Sequence, residues 1–140
     1  MTKRPIKGAP PNPSVPETRT AVDRLDRWWP DRRVRQTLED INHFSALATR
    51  IIDGGYENFM SDEVQRLAGE AVITRIGEAV ARLPDAFEQD FSEVPWKAII
   101  GMRNKLVHHY EATDPDQIWS ALEVSIPAIK TQIGLDRIRP

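Results

Sequence analysis

A chain of 140 residues, 40% of them hydrophobic, is long enough to bury one core and too short for two of comparable size. Having no cysteine, it can build neither a disulfide framework nor a thiolate metal site, and it has no cysteine nucleophile. The formal net charge of -2 hides an asymmetry: nine Lys and Arg stand against four Asp and Glu in residues 1–35, and ten against seventeen in the rest.

A basic arm thus precedes an acidic body. Such an arm suits phosphates or an acidic partner, or is a solvated tail with no partner. No apolar run approaches the ~20 residues needed to cross a bilayer, and the basic start is not followed by the apolar stretch of a secretory signal. The sequence reads as that of a soluble, cytoplasmic protein with no membrane association.

In chain order, residues 1–30 form a basic leader rich in proline, with Pro5, Pro10, Pro11, Pro13 and Pro16. It has too few apolar side chains to offset the entropy of ordering, so it is expected to be largely disordered. Ala21 to Trp29 can make a short helical turn, and Trp28 and Trp29 form an apolar patch suited to packing on the body or on a partner.

Residues 31–135 carry the body. From Asp31, Val34, Leu38, Ile41, Ser45, Ala48 and Ile52 recur at helical spacing until Gly54 and Gly55. Ser61, Asp62 and Glu63 supply a cap and first-turn carboxylates for a second long helix with a face of Val64, Leu67, Ala68, Ala71, Val72, Ile76, Ala79, Val80 and Leu83, ending at Pro84. A turn at Ala86 to Gln89 is followed by Pro95 as first residue of a third helix bearing Trp96, Ile99, Ile100, Leu106 and Val107. Asp114, Pro115 and Gln117 make a capping box for a fourth, carrying Ile118, Trp119, Leu122, Ile126 and Ile129, which Pro127 should kink. No segment alternates apolar and polar as a half-buried strand does. The expected fold is all-α: an up-and-down bundle of four to five helices.

The third helix carries the most informative stretch, Arg103-Asn-Lys-Leu-Val-His-His-Tyr110. Its apolar stripe leaves a gap at position 103, which Arg103 fills, and Tyr110 shares the stripe if the helix continues. His108 lies five residues on, about 140° round an ideal helix. A cation on a core-facing stripe must find acceptors or stay hydrated in a cleft. Histidine beside it can exchange a proton near neutral pH. These groups could cleave an RNA phosphodiester without a metal; equally, they could form an interhelical polar network with His109 solvated.

Asp40 and His43 have the carboxylate-x-x-His spacing of di-iron bundles, but the chain has no second copy of it. No metal ligand set, glycine-rich phosphate loop or nucleophile elbow occurs, and no cofactor is expected.

The Arg103, His108, Tyr110 spacing resembles the Arg-x4-His-x-Tyr signature of HEPN-domain toxins, specifically the HepT-like ribonucleases. The resemblance spans roughly residues 35–133, through Ile76-Gly-Glu-Ala-Val80, Pro95-Trp-Lys-Ala-Ile-Ile-Gly-Met-Arg-Asn104, Ile118-Trp119 and Pro127. It implies a homodimeric helical bundle that cuts RNA without metal, two copies of the motif facing one cleft. Arg103 and His108 would be catalytic, with Asn104 the polar residue the family prefers after the arginine. It also implies a type II toxin-antitoxin system in which a minimal nucleotidyltransferase antitoxin transfers AMP to Tyr110. The leader has no counterpart in that pattern. The alternative is a noncatalytic helical module that holds a nucleotide or a nucleotidyltransferase partner.

Overall fold

The computed structural model describes residues 21–109 and 113–137. The proline-rich part of the leader before Ala21, and Tyr110, therefore lie outside the described residues. Among the described residues there is no strand, and the architecture is an all-α bundle. Helices α1 (Ala21–Trp28), α2 (Arg32–Asp53), α3 (Tyr56–Ser61), α4 (Glu63–Ala81), α5 (Asp85–Asp90) and α6 (Trp96–His109) precede a final rod. That rod comprises α7 (Pro115–Ser120), a π-helical turn over Ala121–Ser125, and α8 (Ile126–Ile133).

Helix α2 starts where its cap lies: the Asp31 carboxylate accepts from the backbone N–H of Arg33 at 3.0 Å and of Val34 at 3.1 Å. Its buried face contains Val34, Leu38, Ile41, Ser45 and Ala48 as expected, but in the last turn Ile51 is buried and Ile52 only partly so. Helix α3 is an element the periodicity did not reveal, because six residues are too few to show a period. It buries Phe59 completely and places Ser61 at its own end, so the cap of α4 is Asp62 alone, accepting from Val64 N–H at 2.9 Å.

Helix α4 is the centre of the bundle, packed between α2 and α6. The expected apolar face holds in its second half, where Val72, Ile76, Ala79 and Val80 are buried together with Ile73. It fails in the first half: Val64 and Leu67 are 70% and 55% exposed, and Ala71 is exposed too. The covered side there is that of Gly69, where an added Cβ would lie 2.9 Å from Phe59, 3.0 Å from Leu122 and 3.2 Å from Ile118. At about 100° per residue, Val64, Leu67 and Ala71 fall on the opposite side of the helix.

Between α4 and α6, α5 and the following turns bury Phe87, Phe91 and Val94. The Phe87 and Phe91 rings stack at 4.7 Å. Trp96 closes the group, its Nε1 donating to the Phe91 carbonyl at 3.0 Å. Pro95 stands one place outside α6 and contributes its carbonyl to the N–H groups of Ala98 and Ile99. Val107, assigned to the buried stripe, is 44% exposed, whereas Trp96, Ile99 and Leu106 are buried.

Helix α1 packs on this region. The Trp28 indole donates to the Asp90 carboxylate at 2.7 Å and meets the Phe87 ring edge-on at 5.5 Å. Arg27 pairs with the same carboxylate. Arg24 donates to the Asp90 carbonyl at 2.6 Å and to Glu93 at 2.7 Å, with its guanidinium 4.7 Å from the centre of the Phe91 ring.

Asp114 caps the rod by accepting from Asp116 N–H at 2.9 Å. Gln117 does not complete a box, because its side-chain oxygen accepts from Lys105 Nζ at 2.8 Å. Pro127 is seated in the first turn of α8, directly after the π turn, in which Ile126 N–H reaches back five residues to the Ala121 carbonyl. Proline lacks the N–H of an α-helical bond and its ring crowds the carbonyl four residues back. A widened turn meets both demands without ending the rod.

Candidate active site

Helix α6 carries the motif and α4 positions it. The two helices cross at Gly77, where an added Cβ would come within 2.3 Å of Arg103 Cβ and 2.6 Å of Arg103 Cγ. The absence of a side chain at 77 thus lets the stem of Arg103 lie against the α4 backbone. Position 103, on the core-facing stripe of α6, can hold a long cationic side chain because α4 is hollowed there by one residue.

The guanidinium emerges at the edge of this crossing, with the Arg103 side chain 30% exposed. Its Nη1 donates to Asn104 Oδ1 at 2.8 Å. Its Nη2 lies 3.9 Å from Glu78 Oε2, and its Nε is buried with no hydrogen-bond partner among the described residues. Glu78 also stands 3.9 Å from Arg75 Nη1 through its other oxygen. The carboxylate therefore lies between two cations.

His108 is exposed on the last turn of α6, which ends at His109. Five residues of α-helix separate it from Arg103 by about 7.5 Å along the axis and about 140° around it. The two side chains thus share one helix but leave it in different directions, Arg103 toward α4 and His108 toward solvent. Asn104 is exposed beside Arg103. Tyr110 follows directly on α6, outside the described residues. His43 is exposed on α2, its ring edge-on to Phe44 at 5.2 Å, and Asp40 accepts from Arg82 at 3.2 Å. Among the described residues no group of three or more His, Cys, Asp or Glu side chains could hold a metal ion.

A groove of about 400 Å³ lies on the neighbouring face, between α2 and α4, lined by Phe44, Leu47, Arg50, Ala68, Val72 and Arg75 among others. Arg75 joins it to Glu78 and so to Arg103.

The family model described as ribonuclease HepT-like matches residues 35–134, a span that contains Gly77, Glu78, Arg103, Asn104, His108 and Tyr110. The chain belongs to the HepT-like ribonuclease family. It is 38% identical over 87 residues to "Putative RNase TTE0752" of Caldanaerobacter subterraneus subsp. tengcongensis, covering 62% of this chain and 78% of that relative. It is 33% identical over 102 residues to "Putative RNase MJ1380" of Methanocaldococcus jannaschii, covering 73% of this chain and 88% of the other. With "Probable ribonuclease HepT" of Thermococcus cleftensis it shares 32% identity over 75 residues, covering 54% of this chain and 68% of that one. No solved structure matches the chain.

The HepT-like segment begins within α2, so α1 precedes it and packs on Asp90 inside it. Gly77 and Glu78 lie outside the Arg103 to Tyr110 motif, on a different helix. Both stand in the Ile76 to Val80 stretch, but only the helix crossing shows that they receive Arg103.

Proposed function

We propose that this HepT-like protein is a metal-independent endoribonuclease, the toxin of a type II toxin-antitoxin system, with Arg103 and His108 as its catalytic residues. The observation that carries this reading is the state of Arg103. Its stem is wedged against Gly77 and its buried Nε has no hydrogen-bond partner among the described residues. Among the described residues its head meets Asn104 and the more distant Glu78. With its side chain 30% exposed, the guanidinium can offer the Nη donors that Asn104 leaves unused to phosphate oxygens, which it binds as a planar fork.

In this reading His108 exchanges protons with the attacking 2′-hydroxyl and the leaving oxygen, while Arg103 stabilises the charge that builds on the phosphoryl oxygens. Asn104 supports Arg103 through its side-chain oxygen. The protein acts as a cytoplasmic homodimer, so that two copies of the motif share one cleft and offer two histidines. The exposed Val64 and Leu67 and the adjoining groove provide apolar surface of the kind a second copy would cover. Among the described residues no helix is long and apolar enough to cross a membrane.

Control falls to Tyr110, which a nucleotidyltransferase antitoxin modifies with AMP. The added phosphate would place negative charge next on the chain to the catalytic histidine region and compete for Arg103. The test is RNA cleavage by purified protein in EDTA, with His108→Ala as the comparison. Wild-type cleavage that the variant loses while keeping its helical circular dichroism is the expected result. Cleavage that persists in the variant, or wild type that cuts no RNA, returns the protein to the alternative of a noncatalytic module binding a nucleotide or a nucleotidyltransferase.

A further inference from the structure

Positions 77 and 78 of α4 treat Arg103 in two ways: Gly77 makes room for its stem and Glu78 faces its head. The Glu78 carboxylate stands between two arginines, Oε1 3.9 Å from Arg75 Nη1 and Oε2 3.9 Å from Arg103 Nη2. Arg75 lies one turn earlier on the same helix, so the pair is held within α4 and presented across the crossing to α6.

These separations are longer than the 2.7–3.2 Å of an N–H···O hydrogen bond. Glu78 therefore attracts and aims the guanidinium without consuming the Nη2 donors, which stay available to a ligand. The opposite end of the head is fixed by the 2.8 Å bond to Asn104. A cation that is anchored at its stem, tethered on one side and aimed on the other has little freedom left to lose when a phosphate arrives.

We infer that Glu78 is a positioning residue for RNA cleavage, setting the direction of the Arg103 guanidinium from α4 while Arg75 steadies the carboxylate. The inference rests on the reading of Arg103 as the phosphate-stabilising group. It makes a prediction opposite in sign to that of simple electrostatics. A carboxylate beside the phosphate site lowers the local positive potential, so as a mere neighbouring charge its removal would strengthen RNA binding and raise kcat/KM. As a positioning group, its removal lowers kcat without raising KM.

The experiment compares wild type, Arg103→Ala, Glu78→Gln, Glu78→Asp and Arg75→Ala for kcat and KM on one RNA in EDTA, with a melting temperature for each. Glu78→Gln keeps the size of the side chain and removes its charge. The expected result is a kcat lower by about tenfold or more in Glu78→Gln at unchanged or lower KM, with a smaller loss in Glu78→Asp and in Arg75→Ala, and melting temperatures close to wild type. A kcat at or above wild type in Glu78→Gln overturns the inference, as does a loss of activity that follows a fall in melting temperature or appears as a higher KM. A fully active Arg103→Ala instead removes the reading beneath it, leaving Glu78 nothing to position.

Discussion

The side-chain stem of Arg103 occupies the space that any side chain at Gly77 would fill, a Cβ there falling 2.3 Å from Arg103 Cβ. The motif cation and the α4 glycine are thus one steric unit, built from two helices.

Gly77→Ala should therefore act at a distance from the chemistry. The added methyl forces α4 and α6 apart or turns Arg103 aside, and overpacking of this kind costs about 1–3 kcal/mol. Thermal unfolding should show that loss of stability. RNA cleavage should fall by more than the folded fraction explains, on the order of tenfold or greater, since small misplacements of a catalytic group are costly.

Arg103→Lys keeps the charge and the stem but not the planar fork. Lysine offers a compact point charge that reaches neither Asn104 nor a phosphate in the same geometry. Steady-state kinetics should show kcat reduced on the order of a hundredfold, the scale of losing a transition-state donor, with stability within about 1 kcal/mol of wild type.

Tyr110→Phe should separate control from catalysis. Incubated with a cognate nucleotidyltransferase and ATP, wild type should gain AMP on the peptide containing Tyr110 in mass analysis and lose RNA cleavage. The variant should gain none there and stay active. An adduct on another residue would count against Tyr110 as the acceptor.

The attachment of α1 should depend on acid. Burial pushes the Asp90 carboxyl up, but hydrogen bonds from Trp28 and Arg27 and the charges of Arg27 and Arg24 outweigh it and hold it below the ordinary carboxylate range. Glu93 shows the same balance, with Arg24 as its partner. A carboxyl lowered by folding binds fewer protons folded than unfolded, so it contributes stability above its unfolded pKa that is lost as pH falls through the folded value. Melting temperature followed from neutral pH into acid should drop through and below the ordinary carboxylate range. Asp90→Asn should start lower at neutral pH and drop less. Trp28 fluorescence should report α1 leaving in the same window.

The long helices were legible because each repeats its apolar spacing over several turns, as from Val34 to Ala48 in α2. Helix α3 was not, since it has too few residues for a period, and with it went the true cap of α4. The outward face of Val64, Leu67 and Ala71 escapes the apolar spacing for another reason. Periodicity reports that a face is apolar but not what covers it, and the contacts of Gly69 with Phe59 and Leu122 are long-range. The motif on α6 could be found by spacing alone. Glu78 could not be tied to it, because the two lie on different helices and only their crossing makes them neighbours. Pro127 announced an irregularity, but a kink and a π turn make the same demand on sequence.

The docking of α1 sets where the protein can be cut. The matched segment opens at residue 35, after Arg24, Leu25, Arg27 and Trp28. Shortening the chain to that boundary would uncover one side of Phe87 and Phe91 and leave the Asp90 carboxylate without Arg27 and the Trp28 indole, and its carbonyl without Arg24. A fragment that begins at α1 should therefore melt higher than one that begins at residue 35, the start of the matched segment. A fragment trimmed to the family segment would bear its defect on the α5 connection, the stretch of chain that ties α4 to α6 and so holds Glu78 and Arg103 in register.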